Sequence, residues 1–116
     1  MALQTSTTAD QGIVVVRLTG ELDIYTVADF RRVVDEAGAG ERDLVFDLTG
    51  VSLLDSSGLG ALVSVLNHTR RRGEGRIGLV CPSEGVARVF TITGLRESFV
   101  FGGDLDEVRA ALAGAA

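Results

Sequence analysis

Short apolar runs, each followed by a segment with the hydrophobic spacing of a helix, constrain the fold of this chain more than any other feature. Three such runs occupy residues 13–18, 44–48 and 77–81. Each has the length of one strand and is nearly continuously apolar, which is typical of a strand covered on both faces. A threonine-rich run at residues 3–8 comes first, and turn residues at 10–12 follow it. We therefore expect the first two strands to form a hairpin.

Amphipathic segments alternate with these runs and predict about four helices. Residues 27–37 and 57–72 repeat apolar positions every three or four residues, and two shorter segments nearer the C-terminus do the same. Thr26 stands three residues before Asp29, which is the spacing of a capping box at the first helix. This order predicts a single α/β domain over residues 1–116. Its N-terminal β-hairpin leads into alternating helices and strands, with a mostly parallel sheet that the helices cover.

The charge balance argues against several classes of function. The net charge is −5 and the pI is near 4.7, so we expect no direct nucleic-acid partner, because phosphates require a basic surface. All 11 cationic side chains are arginine, which removes the lysine of a P-loop or of a Schiff-base enzyme. Three of them, at residues 70–72, are expected to complement the dipole at a helix end; a patch for nucleic acid or lipid headgroups is the alternative.

Hydrophobic patterning predicts neither a membrane span nor a secretory signal. No apolar run approaches the ~18 residues that a span requires. The N-terminus also lacks a basic segment followed by an apolar one. We therefore expect a cytoplasmic protein with no membrane partner.

Few residues suit catalysis or metal binding. The single cysteine, Cys81, excludes an internal disulfide and a cysteine-based zinc cluster, and the spacing of the carboxylates indicates no metal site. The single histidine, His68, would lie roughly 16 Å along a helix from Ser57 by the rise per residue. Because a serine nucleophile needs its base within hydrogen-bond distance, we predict that the protein is not an enzyme and uses no cofactor.

The stretch at residues 53–60 joins the end of a predicted strand to the start of the second helix. After two leucines it consists of Asp55, Ser56, Ser57, Gly58, Leu59 and Gly60. Hydroxyls in the first turn of a helix lie near free backbone N–H groups and the positive end of the dipole, which favours a phosphate there. The alternative is that one serine merely caps the helix, which accounts for one hydroxyl and at most one glycine.

Through this motif, the chain resembles the anti-sigma factor antagonists of the STAS domain family. The likeness also includes the Gly-Glu-Leu-Asp stretch at residues 20–23 and segments within 44–60 and 95–112, so it covers nearly the whole chain. In that family the second hydroxyl of the pair is phosphorylated, and the matching residue is Ser57. The resemblance implies that the unphosphorylated protein binds an anti-sigma factor, which is also a serine kinase with a GHKL-type ATP site, and so frees a sigma factor. It also implies a PP2C-like phosphatase that reverses the modification.

The resemblance further implies that the partner binds around the same motif. The residues expected to contact it are Asp23, Asp55, Ser56, Ser57, Gly58, Leu59 and Gly60. Asp23 has a second interpretation, in which it only caps the first helical region. Some members of the wider family belong to transporters or lipid-transport machinery and lack the switch. A STAS scaffold subunit of a transporter, lipid-transport or stress-signalling complex is therefore the alternative function, and a small serine hydrolase or phosphoryl-transfer enzyme is a more remote one.

Overall fold

Strands and helices alternate along the chain after an N-terminal hairpin. The computed structural model describes residues 3–38, 42–73 and 75–114. Within these ranges the strands are β1 (Gln4–Asp10), β2 (Ile13–Leu22), β3 (Asp43–Leu54), β4 (Ile77–Val80) and β5 (Val100–Gly102). The helices are α1 (Val27–Glu36), α2 (Ser56–Arg72), α3 (Glu84–Ile92) and α4 (Leu105–Gly114), and a 3₁₀ turn spans Arg96–Ser98.

The strands form one sheet in the order β1-β2-β3-β4-β5. The β1–β2 pair is antiparallel, and every later pair is parallel. Gln11 and Gly12 join β1 to β2 with positive φ angles of 53° and 81°, the left-handed conformation that a two-residue hairpin turn requires. The predicted hairpin and the predicted α/β class with a mostly parallel sheet are confirmed.

Helices cover the two faces of the sheet unequally. Each parallel strand lies directly beside the previous one, so right-handed crossovers place α1, α2 and α3 on the same face. The larger core fills this layer and contains Phe30, Phe46 and Phe90, all fully buried. On the other face α4 packs Val108 and Leu112 against the sheet. No helix among the described residues is long and apolar enough to cross a bilayer.

The two central strands are longer than the sequence pattern predicts. β2 continues to Leu22 and β3 continues to Leu54, whereas β4 pairs with β3 only from Leu44 to Asp47. The register between β2 and β3 shifts after Arg17 and again after Gly20, which marks irregularities of the β-bulge type. Beyond the bulge the strands stay paired, so β2 and β3 project past β4 as a two-stranded extension.

Asp47, next to the bulge, is a buried carboxylate on β3 with several donors. Arg17 Nε donates to its Oδ2 at 3.1 Å, and the backbone N–H and the hydroxyl of Thr49 donate to its Oδ1 at 3.0 and 2.5 Å. Burial raises the pKa of Asp47, but the hydrogen bonds from Thr49 and the nearby Arg17 outweigh it. They hold the pKa below its ordinary value of 3.8.

We predict that Asp47 stabilises the fold in a pH-dependent way. Because its folded pKa is lowered, its contribution is complete above the unfolded pKa of 3.8 and is lost as the pH falls below that value. Asp47→Asn should lower the free energy of unfolding by about 1.5–3 kcal/mol near neutral pH. Its difference from the wild type should shrink in acid, as followed by urea unfolding.

The exposed pair Asp29–Arg32, with N–O distance 3.0 Å, supplies the control for this experiment. Asp29→Asn should change the stability by less than about 0.5 kcal/mol because surface ion pairs contribute little. A stability difference for Asp47→Asn that stays constant from neutral to acid pH would contradict the assignment.

Candidate functional site

The carboxyl ends of β2 and β3 bring two loops side by side. Leu22 and Leu54 are the last residues of their strands and are paired in register. Asp55 N–H then donates to the carbonyl oxygen of Leu22 at 3.3 Å. The loop at residues 23–26 therefore starts next to the turn that opens α2. We call this end of the sheet the carboxyl edge.

Asp55, and neither serine, caps α2. It has extended backbone angles, and its Oδ1 accepts the N–H of Gly58 at 2.9 Å. Ser56 and Ser57 occupy the first two positions of the helix, where backbone N–H groups have no partner within the helix. The interpretation of a serine as a mere cap is therefore wrong: the carboxylate one residue earlier reaches the third N–H group instead.

The two hydroxyls differ in exposure. Ser56 is exposed and Ser57 is half-buried. Neither hydroxyl forms a hydrogen bond with another residue in the described part of the chain. Ser57 thus combines a free hydroxyl with the positive end of the helix dipole.

The two glycines of the motif have different environments. Gly58 is buried against the end of β2, and a Cβ atom there would lie 2.4 Å from the carbonyl oxygen of Leu22 and 2.8 Å from Leu54 Cδ1. Gly60 is exposed, and a Cβ atom there would meet nothing within 4 Å. Leu59 between them packs against the larger core. Close packing therefore requires glycine at position 58 but not at position 60.

Asp23 holds the 23–26 loop in one conformation. It is 9% exposed, and its Oδ1 accepts the N–H groups of Tyr25 and Thr26 at 2.9 and 3.1 Å. Thr26 Oγ1 accepts the N–H of Asp23 and donates to the carbonyl oxygen of Glu21 at 2.8 Å. The carboxylate of Asp23 therefore has a structural role in the turn before α1.

The predicted capping box at α1 is wrong. Thr26 precedes the helix but makes no side-chain cap, because its hydroxyl is engaged by Asp23 and Glu21. Asp29 instead accepts a hydrogen bond from Arg32 at 3.0 Å. Hydrogen bonds inside the preceding loop replaced the local motif that the spacing indicated.

Exposed apolar side chains at the carboxyl edge are the feature that the sequence analysis missed. Ile24 is 64% exposed, Tyr25 is 89% exposed and Leu53 is 44% exposed. Leu53 lies beyond the level at which β4 pairs with β3, and it lines a shallow groove of ≈ 350 Å³ beside Ser83 and α3. The available signal was that Ile24 and Tyr25 lie between a strand and a helix and belong to the apolar pattern of neither.

The side chains that could serve as a catalytic base, a thiol nucleophile or metal ligands are not arranged for those roles in the described part of the chain. His68 lines a depression between α1 and α2 together with Asp35 and Ser64, eleven positions after Ser57 on α2. Burial raises the pKa of the Cys81 thiol, which Arg96 offsets only in part, so the thiol is a poor nucleophile. Within the described ranges, no three His, Cys, Asp or Glu side chains converge to hold a metal ion. The three arginines 70–72 lie in the last turn of α2, as expected of a helix end.

Comparison with known proteins agrees with this architecture. A family model described as the STAS domain matches residues 4–112. The chain is 34% identical over 98 residues to a Staphylococcus aureus protein named anti-sigma-B factor antagonist, covering 84% of this chain and 90% of that protein. The chain therefore belongs to the STAS domain family.

Solved structures share the fold. An anti-sigma factor antagonist from Mycobacterium paratuberculosis superposes with a TM-score of 0.81 at 25% identity, over 96% of this chain and 94% of that one. The Bacillus cell fate determinant SpoIIAA in its phosphorylated form superposes with a TM-score of 0.67 at 23% identity, over 95% of this chain and 98% of that one. This second likeness concerns the fold alone.

We predict opposite effects of alanine at the two glycines. Gly58→Ala should lower the free energy of unfolding by about 1–3 kcal/mol, because its Cβ atom meets backbone that has no room to move. Gly60→Ala, the matched control, should raise it by about 0.5–1 kcal/mol, because alanine is favoured inside a helix. Urea unfolding followed by circular dichroism measures both, and equal stabilities would contradict the packing described for Gly58.

Proposed function

We propose that the protein is an anti-sigma factor antagonist whose binding to an anti-sigma factor is switched off by phosphorylation of Ser57. The observation that carries this proposal is the free, half-buried hydroxyl of Ser57 in the first turn of α2, with the cap already supplied by Asp55. The relative named anti-sigma-B factor antagonist supports the class of function. The unphosphorylated protein would occupy the anti-sigma factor and thereby release a sigma factor.

The proposed partners are an anti-sigma factor with a GHKL-type serine kinase site and a PP2C-like phosphatase. In the forward step the Ser57 oxygen attacks the γ-phosphorus of ATP, ADP leaves, and the hydroxyl proton passes to the kinase. In the reverse step water replaces the serine oxygen, which yields inorganic phosphate and restores the hydroxyl. This protein is the substrate in both steps, so its own residues only present the hydroxyl.

The fold is expected to tolerate the phosphate. Phosphorylation adds about −1.5 to −2 charge. At the start of α2 the free N–H groups and the dipole stabilise a negative charge by ~0.3–1 kcal/mol. Since Asp55 caps the helix through Gly58, a modified Ser57 does not remove the cap. The effect of phosphorylation is therefore felt mainly by whatever lies against the carboxyl edge.

A partner carboxylate near Ser57 would be enough for the switch. At ~5 Å and an effective dielectric near 20, two unit charges repel by about 3 kcal/mol, before solvent screening. A tenfold loss of affinity requires only ~1.4 kcal/mol. Burial of a small hydroxyl would also be lost. Local repulsion thus turns binding off without a conformational change in this protein.

The alternatives make different demands on the same site. A serine hydrolase would need a base beside Ser57, but His68 lies three helical turns away on the same helix. A STAS scaffold subunit would need neither a phosphate on Ser57 nor affinity for an anti-sigma factor. Phosphate transfer to Ser57 and affinity for an anti-sigma factor therefore distinguish the proposal from both alternatives.

Our first prediction for this site concerns phosphate transfer. Incubation with radiolabelled ATP and a purified GHKL-type anti-sigma factor from the source organism should label this protein on Ser57, as mapped by mass spectrometry. Ser57→Ala should abolish the label, because no acceptor hydroxyl remains. Ser56→Ala is the matched control and should keep it. Label that persists in Ser57→Ala would overturn the assignment of the site.

Our second prediction concerns binding. Ser57→Asp should weaken the complex with the anti-sigma factor at least tenfold in a titration calorimetry experiment, whereas Ser57→Ala should bind as the wild type does. The midpoint of thermal unfolding of Ser57→Asp should stay within about 4 °C of the wild type, which corresponds to less than ~1 kcal/mol. A variant that is strongly destabilised would point to a structural role for Ser57 instead.

A further inference from the structure

Large exposed hydrophobic side chains lie on the loop and the strand end that adjoin the start of α2. In the part of the chain that the structure describes, the exposed large hydrophobics are Ile24, Tyr25, Leu53 and Ile92. The first three belong to the carboxyl edge. Ile92 is the last residue of α3, which returns from the carboxyl end of β4 to the start of the parallel strand β5, so it lies toward the opposite edge. Exposed apolar clusters of this kind mark interaction surfaces.

Tyr25 is the most exposed member of this cluster, at 89%. It is the only tyrosine of the chain, which has no tryptophan. Phe30, Phe46, Phe90 and Phe99 are buried in the core and Phe101 packs against it, so Tyr25 is the aromatic side chain that folding leaves exposed. Tyrosine is enriched among the residues that dominate binding energy at protein interfaces.

The loop that carries Tyr25 is already ordered. Asp23 Oδ1 accepts the N–H of Tyr25 itself, and the N–H of Val27 donates to the Asp23 carbonyl oxygen at 2.9 Å, which closes the turn. An anchor on such a loop loses little conformational entropy when a partner binds. The buried carboxylate of Asp23 thus acts as a positioning group for the side chain two residues later.

An enzyme that reaches Ser57 has to cover this loop. The loop starts at the residue after Leu22, whose carbonyl oxygen touches Asp55 N–H at 3.3 Å. Three residues of chain span at most about 11 Å, which limits the distance from Leu22 to Tyr25. A standard interface of ~800 Å² per partner is roughly 30 Å across. A kinase centred on Ser57 therefore reaches about 15 Å in each direction and extends over the start of the loop that carries Tyr25.

We propose that Tyr25, with Ile24 beside it, is the apolar anchor through which the anti-sigma factor docks next to Ser57; this inference rests on the proposed function. A second copy of this chain is a poorer occupant. Each copy has a net charge of −5 and would bring Asp55 of its own carboxyl edge toward the same carboxylate of the other. The partner is expected to offer an apolar pocket for an aromatic ring.

Site-specific photo-crosslinking in the full chain tests the identity of the occupant. Tyr25→p-benzoylphenylalanine should, on irradiation in cells of the source organism, yield a crosslink to a protein with a GHKL-type ATP site, identified by mass spectrometry. Ile92→p-benzoylphenylalanine is the control, because Ile92 is 75% exposed but lies away from this surface. Crosslinks at position 25 to a second copy of this chain, to another class of protein, or to nothing would overturn the proposal.

The second test measures the affinity for the kinase that the crosslink identifies, in purified form. Tyr25→Ala should weaken its complex with this protein at least tenfold, Ile92→Ala should change the affinity less than twofold, and both variants should unfold at the wild-type temperature. If Tyr25→Ala binds the kinase with wild-type affinity and Ser57 is still phosphorylated, Tyr25 is not the anchor. The proposed phosphorylation switch would then stand without it. If the kinase crosslinks at position 25 and Tyr25→Ala weakens the complex, but Ser57 is never phosphorylated, the anchor is supported and the switch is overturned.

Discussion

The parallel pairing of β2 with β3, carried through to Leu22 and Leu54, is the constraint on which the rest of the site depends. Leu22 pairs across the sheet, accepts the N–H of Asp55 and lies against Gly58. A slip of one residue would turn every side chain of the slipped strand to the opposite face of the sheet. It would also separate the 23–26 loop from the start of α2. One register therefore fixes the fold and the relative position of the two loops.

The order of the strands explains why the surface here suits a protein. In many parallel sheets the strand order reverses once, and small molecules bind in the crevice at that point. In the described sheet the order follows the sequence without reversal, so α1, α2 and α3 lie on one face and no such crevice arises. What remains at the carboxyl edge is a projecting pair of strands with two short loops. Such a surface can be covered by a partner, and the groove near Leu53 is shallow.

Neighbouring residues of the motif at residues 55–60 have different structural roles. Asp55 caps the helix, Gly58 permits the helix to approach β2, and Leu59 packs into the core. These contacts keep the turn in place whatever happens to the hydroxyl of Ser57. In the proposed switch, phosphorylation adds a charge to Ser57 without removing a structural contact. Asp23 orders the neighbouring loop by accepting the backbone N–H of Tyr25.

Local patterns in the sequence determined the α/β class, the hairpin and the alternation of strands and helices, because period and turn chemistry are properties of adjacent residues. They also indicated a hydroxyl-bearing helix start at residues 55–57. Only the tertiary structure decided which residue caps that helix, since Asp55 is positioned by its contact with Leu22 on another strand. The same holds for Thr26, whose hydroxyl turned to Glu21 and Asp23, and for the exposure of Tyr25. Exposure depends on which surfaces the helices cover, and long-range packing alone decides that.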